Sequence, residues 1–569
     1  MTSDDPASHL LIGPVLRRVV GDRATIWVET SAPATVRVAV QGGGGGSAHT
    51  FSAYGHHYAL VVVEDLTPGT SAAYEVLIDE RPVWPDPRSP YPPSVIRTRA
   101  TADASVRLIF GSCRETTQHA TSRRLPPDAL DAYARRLMRS PGDPALRPDL
   151  IVLLGDQVYA DKASPTVKRF LRHHRPGDHD GPSNQVVSYE EYTKLYLESW
   201  RDPEIRWLLS TVPSVMIFDD HEIIDDWNTS VGWRRDQAAK PWWRERIIAG
   251  LSSYWVYQHL GNLGPDEIAA DPVWAKIQAS PADATDVLHD FGAAVDDEAD
   301  NGDDPRRWQS RAYRWSYALD IARTRVVVLD NRCSRVLAAP QRAMLPAAEW
   351  EWFVDQAHGD YDHLVVGSSL PWLMPPGIHH LETWNEALAA SGNGRRAALG
   401  ETLRRAVDLE HWAAFRRSFE ALTELFRHLA TGTPGPGRVG SGPAYASPAT
   451  ISVLSGDVHH SYAARADLGP DAAATPVHQL TCSPIHNQVP AFMRPLMRLG
   501  WARGPAVAMR GLARAAGVPK AMVRWRKTAG PYFGNAVSTL EHDGRAARVT
   551  IEGTTKDGHL RTVAALDLT

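Results

Sequence analysis

The chain has 569 residues, a formal net charge of −5 at neutral pH and three cysteines. This length predicts more than one domain. The slightly acidic balance argues against wholesale nucleic-acid binding, and three cysteines cannot form a dense disulfide framework. The opening MTSDDPASHLLIGP lacks the basic and apolar regions of a signal peptide, and no stretch approaches the ~18 apolar residues of a membrane-spanning helix. A cytoplasmic location is therefore the expectation.

Residues 10–99 predict an all-β sandwich of fibronectin III or immunoglobulin type. Four segments alternate apolar and polar residues at period two, namely ATIWVET, TVRVAV, YALVVVEDL and AAYEVLID. LTPGTSAAYEV resembles a tyrosine-corner region, with Tyr74 as the corner residue. The glycine run 42–46 has no following lysine or helix, so it predicts a hairpin loop rather than a phosphate-binding loop. WPDPRSPYPP (84–93) predicts a stiff linker or a domain-packing segment.

From residue 104 to the end, the pattern favours an α/β domain, because apolar strands alternate with helical and irregular segments. Four of these strands are followed at once by Asp, His, Cys or Tyr: VRLIFGSCRE, IVLLGDQVYAD, VPSVMIFDDHEIIDDWN and ATISVLSGDVHHSYAAR. A single Gly-Asp would predict only a turn. Because ligands bind beyond the carboxyl ends of strands in open α/β sheets, the recurrence predicts one shared crevice. RTRVVVLDNR and YDHLVVGSSLPWL are further buried-strand candidates that end in polar residues, and GTPGPGRVGSGP (432–443) predicts a loop.

The side chains that follow these strands predict a metal site. Hard cations favour carboxylate and phenolate oxygens, imidazole suits Zn, Fe and Mn, and a thiolate needs a metal or positive neighbours to stay ionised. The candidate ligands are Cys113, Asp156, Tyr159, Asp220, Asp457 and His459. This set has too many anionic groups for one ion, so two or more metals fit better. Two ions with a bridging carboxylate can generate hydroxide and stabilise a phosphoryl group in transfer.

The order of these motifs resembles the metallophosphoesterase superfamily, and within it the PhoD-like family, also called alkaline phosphatase D. The superfamily pattern is D-x-H, G-D-x-x-D, G-N-H-[DE] and G-H-x-H. Here FGSCR, GDQVY, DDHE and SGDVH stand in its place, as they do in PhoD-like proteins. The resemblance covers about 104–560 and implies an αββα sandwich of metallophosphoesterase type behind the N-terminal sandwich. It also implies metal-dependent hydrolysis of phosphate monoesters or diesters.

The resemblance assigns metal-binding roles by matched position. Asp156 is similar to the metal-bridging carboxylate, Tyr159 stands where the second motif has its final Asp, and Cys113 lies in the region of the lost D-x-H. In PhoD-like proteins such a Cys and Tyr are associated with ferric iron, alongside calcium. Asp220 replaces the ligand Asn. Manganese and zinc are alternative divalent ions.

The remaining roles follow in the same way. Asp457 and His459 match the two histidines of the last motif, and His221 matches the histidine that contacts substrate and protonates the leaving group. A supporting set, expected to orient ligands or touch substrate, consists of Asp219, Glu222, Asn228 and His460. Arg114 is a candidate phosphate clamp, because arginine presents paired donors, with a salt bridge as the alternative.

Two alternatives to hydrolysis stay open at this stage. One is a non-catalytic binding protein with a structural metal site, and the other is redox chemistry at an iron held by Tyr and Cys. The sequence predicts no nucleic-acid-binding module and no membrane span. Residues 472–540 contain no acid but nine Lys and Arg. This basic segment predicts a packed and half-solvated helix, a membrane or polyanion contact, or a source of positive potential for an anion site.

Overall fold

The structure is a computed structural model that describes residues 7–100, 105–121, 124–143, 145–175, 180–280, 282–300, 313–433 and 446–569. Most of the loop predicted at 432–443 lies outside these ranges. Within the described ranges, no helix is long and apolar enough to cross a membrane.

The N-terminal region is all β and forms two facing antiparallel sheets. In chain order its strands are β1 Leu10–Val20, β2 Arg23–Thr30, β3 Thr35–Val40, β4 Gly45–His49, β5 Phe51–Ala53, β6 His56–Val63, β7 Ser71–Ile78, β8 Arg81–Trp84 and β9 Val95–Arg97. One sheet has the order β1-β2-β6-β5, and the other has β4-β3-β7-β8 with β9 paired to β7. Alternate residues of the two sheets, such as Ile26, Val38 and Val61, form a common core between them. The predicted sandwich is therefore confirmed.

Two details of this region differ from expectation. Gly45 and Gly46 begin β4 instead of lying in a loop, and a Cβ on Gly46 would come within 1.9 Å of the Val62 carbonyl oxygen, so glycine permits the close approach to β6. The Tyr74 hydroxyl does not close a corner within its own sheet. It donates a 2.6 Å hydrogen bond to the Ser210 carbonyl of the following domain.

The second domain contains two mixed sheets. Its strands are β10 Val106–Gly111, β11 Leu150–Leu154, β12 Ser214–Ile217, β13 Tyr317–Ile321, β14 Thr324–Leu329, β15 His363–Ser368, β16 Thr450–Ser455, β17 Ser461–Asp467, β18 Val477–Thr481, β19 Arg524–Tyr532, β20 Ala536–Asp543, β21 Ala546–Thr554 and β22 Leu560–Asp567. The first sheet has the order β12-β11-β10-β20-β21-β22, and the second has β13-β14-β15-β16-β18-β17-β19. Strands β10, β11 and β12 run parallel, as do β14, β15, β16 and β18.

Helices occur on the outer faces of this pair of sheets. They are α1 Gln118–Thr121, α2 Ala129–Arg139, α3 Pro165–His174, α4 Tyr189–Trp200, α5 Pro203–Thr211, α6 Val231–Ala238, α7 Trp243–Tyr254, α8 Pro265–Ala270, α9 Pro272–Gln278, α10 Thr285–Asp300, α11 Ala347–Gln356, α12 Pro376–Ala389, α13 Gly394–Ala406, α14 Arg416–Thr431, α15 Met493–Gly500 and α16 Arg503–Ala515. A π-helical turn at Trp255–His259 extends α7, and short 3-10 turns occur at Leu260–Asn262, Trp412–Ala414 and Pro470–Ala472.

The alternation of side chains along the central strands produces three layers of core. Leu108 and Phe110 of β10 face the second sheet and pack with residues such as Val328, whereas Ile109 between them faces the helices. The opposite side of the second sheet, including Val366, packs against the remaining helices. Strands buried on both faces carry continuous apolar runs, which is why the predicted segments contain so few polar residues. The αββα arrangement is the predicted one.

Buried polar contacts join the two domains. The Arg17 guanidinium of β1 donates to the Gln258 carbonyl at 2.7 Å and to Asn262 Oδ1 at 3.0 Å. His56 of β6 lies between Glu29 of the same sandwich and Glu190 of α4. Since charged side chains are rarely buried without partners, these contacts tie the sandwich to the α/β domain at defined positions.

Candidate metal centre

The loops after the parallel strands meet at one edge of the two sheets. The Cys113 amide, after β10, donates to the Gly155 carbonyl at 3.2 Å, and the Asp457 amide, after β16, donates to Ser112 Oγ at 3.1 Å. Gly155 has a φ of +99°, and a Cβ there would lie 2.4 Å from the Asp219 Cβ. Glycine therefore lets the loop after β12 pack directly on the loop after β11.

Three groups of side chains at this edge could each hold a metal ion. In each group the ligand atoms lie within 4.8 Å of one another, and the groups are Cys113 with Asp156 and His459, Asp156 with Asp220 and His221, and Asp219 with Asp220 and Asp457. Asp156 and Asp220 each belong to two groups. The arrangement is thus one continuous cluster with room for more than one ion, and it brings together five of the six ligands predicted from sequence.

The sixth predicted ligand, Tyr159, lies beside this cluster. Its hydroxyl is 3.3 Å from Asp156 Oδ2 and accepts a 2.9 Å hydrogen bond from the Asn487 side-chain amide. The Tyr159 ring stacks on the His221 imidazole with ring centroids 4.3 Å apart. The phenolic oxygen therefore faces the carboxylate shared between two of the groups.

Several candidate ligands have a backbone conformation that is uncommon for residues with a side chain. The φ angles are +59° at Cys113, +57° at Asp156, +63° at Asp457 and +49° at His459. Left-handed non-glycine residues cluster at functional sites, and each costs about 1–3 kcal/mol. The surrounding hydrogen bonds hold these loops in a conformation that the isolated chain would disfavour.

The donor set fits a metal because its charge is otherwise poorly balanced. Cys113 is fully buried. Burial is the main cause that raises the pKa of its thiol well above the usual value, and the negative charges of Asp156 and Asp457 raise it further. Burial likewise raises the pKa values of the Asp156 and Asp219 carboxyls well above their usual values. The buried Asp219 Oδ2 has no hydrogen-bond partner in the described structure. Cations would allow these groups to ionise together.

His221 is oriented by a carboxylate that sequence reasoning did not assign. The His221 Nδ1 atom lies 2.9 Å from both oxygens of Asp161, so Nδ1 donates and Nε2 is left as the other functional nitrogen. Burial lowers the pKa of His221, but Asp161, Asp220 and Asp156 outweigh it and raise the pKa well above the usual value. His221 and Asp161 border a cavity of about 510 Å³, whose lining also includes Lys162, Gln185, Trp233, Gln237 and Arg405.

Glu222 holds two of the converging loops together. Its carboxylate accepts the backbone N–H groups of Asp156 at 3.0 Å, Gln157 at 2.7 Å and Asp219 at 2.8 Å. A buried carboxylate that accepts several amides is a structural support for neighbouring ligands. Glu222 therefore lies behind the candidate ligands rather than among them.

Two other members of the predicted supporting set also lie outside the three ligand groups. The Asn228 side chain donates to the Arg332 carbonyl at 3.0 Å and accepts from the Arg234 guanidinium at 2.8 Å. The His460 Nδ1 atom lies 2.7 Å from the Val458 carbonyl oxygen. Both side chains order loops rather than supply ligand atoms to the cluster.

Arg114 lies in an environment that does not suit a phosphate clamp. Its side chain is 2% exposed, its Nε donates to Asp128 at 2.8 Å, and a terminal nitrogen donates to Ser199 Oγ at 2.8 Å. Asp128 in turn accepts the Leu130 amide at the start of α2. The guanidinium therefore anchors α2 behind the cluster.

Arg332 was not singled out from the sequence, yet it lies in the middle of the acidic side chains. It is fully buried, forms ion pairs with Asp219 and Glu410, and places a terminal nitrogen 3.3 Å from Asp457 and 3.7 Å from Asp220. The signal was present in LDNRC, where polar residues follow the buried strand β14 as they do after the other motif strands.

His411 is a second residue that the sequence did not indicate. Its Nε2 lies 3.0 Å from Asp457 Oδ2, and its Nδ1 lies 2.6 Å from Glu382 of α12. His411 precedes a 3-10 turn and follows no strand, so nothing in its local sequence predicts a place at this edge.

Comparison with known proteins supports these observations. Residues 121–281 match the model of the family described as PhoD-like phosphatase, and residues 7–96 match a domain of unknown function, DUF7800. No curated protein matches the chain significantly. A solved structure titled "Structure of PhoD" aligns with a TM-score of 0.54 at 11% identity, covering 99% of this chain and 94% of that one. A maltogenic amylase from S. marinus, at 8% identity and a TM-score of 0.14 over 100% of this chain and 84% of its own, adds nothing to the comparison.

The matched segment 121–281 contains Asp156, Tyr159, Asp220 and His221. The two remaining motifs, which carry Cys113 and Asp457, lie on either side of it, and the structure brings all of them to one edge. The fold, the family match and the order of the motifs agree. The chain thus matches the PhoD-like phosphatase family over residues 121–281 and has a fold similar to that of PhoD.

Proposed function

We propose that this protein hydrolyses phosphate esters at a metal centre formed by the converging loops. The observation that carries the proposal is the continuity of the three ligand groups through Asp156 and Asp220. A shared carboxylate between adjacent ion sites is the arrangement that supports hydrolysis of phosphate esters by two metals. The match to the PhoD-like phosphatase family supports the same reaction class.

Different parts of the cluster offer different types of metal-binding atom. Cys113 and His459, with Tyr159 alongside, offer sulfur, nitrogen and phenolic oxygen near Asp156, whereas Asp219, Asp220 and Asp457 offer only carboxylate oxygen. Iron suits the first set and a hard cation such as calcium suits the second. The resemblance to PhoD-like motifs supports ferric iron and calcium there, and bound ions would supply Lewis acidity and a hydroxide nucleophile at neutral pH.

The protein's own contribution to catalysis centres on His221. Asp161 fixes the imidazole through Nδ1, so that Nε2 can deliver a proton to the leaving alkoxide oxygen. The Tyr159 ring packs against the imidazole face and restricts its rotation. Asp161 acts here as a positioning residue, in the way that a carboxylate orients a catalytic histidine in other hydrolases.

The cavity beside His221 provides a place for the ester. Its lining combines Lys162, Arg405, Gln185 and Gln237, which can donate hydrogen bonds to phosphate oxygens, with the carboxylates of Asp161, Asp225 and Asp226. Its volume of about 510 Å³ lies within the range of small-ligand sites. Monoesters and diesters both suit this arrangement, because both present a phosphoryl group and an ester leaving oxygen.

The direct test is hydrolysis of p-nitrophenyl phosphate and bis(p-nitrophenyl) phosphate by the full chain, as purified, after chelation and after reconstitution with iron and calcium. We expect activity on at least one ester, its loss on chelation and its return with metal. Asp156→Asn should lower kcat by about 10²–10³-fold, because a shared ligand is removed. Asp360→Asn changes a carboxylate that pairs with Arg323 at the surface and serves as the control.

Reconstituted protein that holds metal but cleaves neither ester would contradict the proposal. A binding protein with a structural metal site would then be the better description. Full activity in the Asp156→Asn variant would contradict the assignment of the site itself.

A further inference from the structure

Two helices in the acid-free segment 472–540 turn apolar side chains toward solvent. Phe492, Leu496 and Leu499 are 80%, 63% and 53% exposed, and their spacing of four and three residues places them on one face of α15. Val507 of α16 is 72% exposed. In the described part of the chain, six of the ten exposed large apolar residues lie between positions 492 and 522.

The side of these helices turned toward the domain carries glycine, alanine, one tryptophan and the half-buried Met493, Met497 and Met509. Gly500 packs against Pro375 and Ile378, so that a Cβ on Gly500 would lie 3.0 Å from Pro375. Ala513 of α16 is fully buried, and the Trp501 ring packs edge-on against Tyr462 at 5.3 Å. A helix packed on a core and solvated on its other side would normally have polar residues on the solvated side, whereas here phenylalanine, leucine and valine are exposed there. The exposed apolar face therefore indicates an interaction surface.

The charge of the segment identifies the kind of partner. Residues 472–540 contain nine Lys and Arg and no acid, although the whole chain carries a net charge of −5. Arg498, Arg503, Arg514 and Lys520 are exposed beside the apolar side chains. Basic residues interleaved with exposed leucine, valine and phenylalanine are typical of helices that lie in the interface of an anionic bilayer.

We propose that the α15–α16 surface docks on an anionic phospholipid bilayer. Phe492, Leu496, Leu499 and Val507 would enter the boundary between headgroups and acyl chains, while the flanking arginines contact lipid phosphates. The exposed leucines favour a bilayer over a nucleic acid as the partner. Binding to a nucleic acid is mainly electrostatic, and exposed leucine side chains would not strengthen it.

Two contacts connect this surface to a residue next to a candidate metal ligand. The Arg498 guanidinium lies 5.0 Å from the centroid of the Phe533 ring, and that ring stacks on His460 with centroids 5.7 Å apart. His460 directly follows the candidate ligand His459. Docking through α15 would thus place the bilayer beside the site, but the docking itself is independent of the proposed hydrolysis.

The test is co-sedimentation of the full chain with vesicles of phosphatidylcholine alone and of phosphatidylcholine mixed with phosphatidylglycerol. We expect binding to the anionic vesicles only, and weaker binding as salt concentration rises. The L496S/L499S variant should bind anionic vesicles at least about tenfold more weakly than the unaltered chain, because two inserting side chains are lost. The R503E/R514E variant should lose a similar amount of vesicle affinity, because two positive charges beside the lipid phosphates become negative.

The matched control is L399S/V407S, which removes two side chains of similar exposure, 53% and 54%, outside the segment. This control should bind as the unaltered chain does. Circular dichroism and the thermal midpoint verify that each variant is folded, which is expected because all these side chains are exposed.

Three results would overturn the proposal. They are absence of binding to anionic vesicles, equal binding by L496S/L499S and the unaltered chain, and binding to heparin or RNA without binding to vesicles. The protein could instead fail to bind vesicles and sediment as a dimer that the L496S/L499S substitutions dissociate. This face would then be an interface between two copies of the chain.

Discussion

The guanidinium of Arg332 lies 3.3 Å from the carboxylate of Asp457, although 125 residues separate them in the chain. Arg332 follows β14 and Asp457 follows β16, so the contact depends on the parallel arrangement of strands in the second sheet. The same guanidinium forms ion pairs with Asp219 and Glu410. One buried cation therefore offsets part of the negative charge that the ligand loops bring together.

Arg332→Met should lower stability by about 3–5 kcal/mol, because it leaves buried carboxylates without their cation. The measurement is the shift of the urea unfolding midpoint in the presence of chelator. Arg323→Met is the control, since Arg323 pairs with Asp360 and Asp362 at the surface and its loss should change the midpoint little. Equal shifts for the two variants would contradict the structural role of Arg332.

Arg114→Met should destabilise the protein by about 3 kcal/mol without changing KM for phosphate esters, because the guanidinium pairs with Asp128 away from the cavity. Asp128→Asn breaks the same pair and should produce a comparable loss. Thermal midpoints and ester kinetics on both variants check this expectation. A large rise in KM with an unaltered midpoint would restore the phosphate-clamp role.

His221→Asn should reduce kcat by about 10²–10⁴-fold for alkyl phosphates and by less for nitrophenyl phosphates. The difference arises because nitrophenolate leaves readily without a proton. Asp161→Asn should show the same dependence on the leaving group with a smaller loss, since Asp161 orients the imidazole but does not donate the proton. A loss that is equal across leaving groups would argue against proton donation by His221.

The His56 contact between the domains should make stability depend on pH. Burial would lower the pKa of His56, but its hydrogen bonds to Glu190 and Glu29 outweigh burial and raise the pKa from 6.5 to about 9. A folded-state pKa above the unfolded one means that the stabilisation is complete below about pH 6.5 and is lost as pH rises through about 9. It amounts to at most about 3 kcal/mol.

Urea midpoints measured from pH 6 to pH 10 for the unaltered chain and for His56→Gln test this linkage. The two proteins should differ most at the acid end of the range and converge above about pH 9. A difference that stays constant with pH would show that His56 contributes through packing alone. His57, the adjacent histidine, provides the control substitution.

The sequence predicted an α/β domain because that information is local, whereas the αββα arrangement was implied by the resemblance to PhoD-like motifs. Buried central strands require apolar runs such as IVLLG, and the residues that follow them must lie at the carboxyl edge of a sheet. Cys113, Asp156, Asp220, Asp457 and His459 could all be found from this rule together with the order of the motifs.

The residues that sequence reasoning missed depend on contacts between distant segments. His411 reaches Asp457 from a loop before a 3-10 turn, and Asn487 reaches Tyr159 from a loop after β18. No periodicity marks such positions. The direction of the Arg114 side chain could not be inferred either, because its partners Asp128 and Ser199 are brought to it only by the packing of α2 and α4.

The claim on which the account depends most is that Asp156 and Asp220 join the ligand groups into one multinuclear metal centre. Elemental analysis by plasma mass spectrometry, on protein purified without chelator or metal-affinity resin, tests it directly. We predict more than one metal ion per chain, iron among them, and a loss of bound metal in Asp156→Asn but not in the surface variant Asp360→Asn. Protein that carries no metal and takes up none on reconstitution would contradict the account.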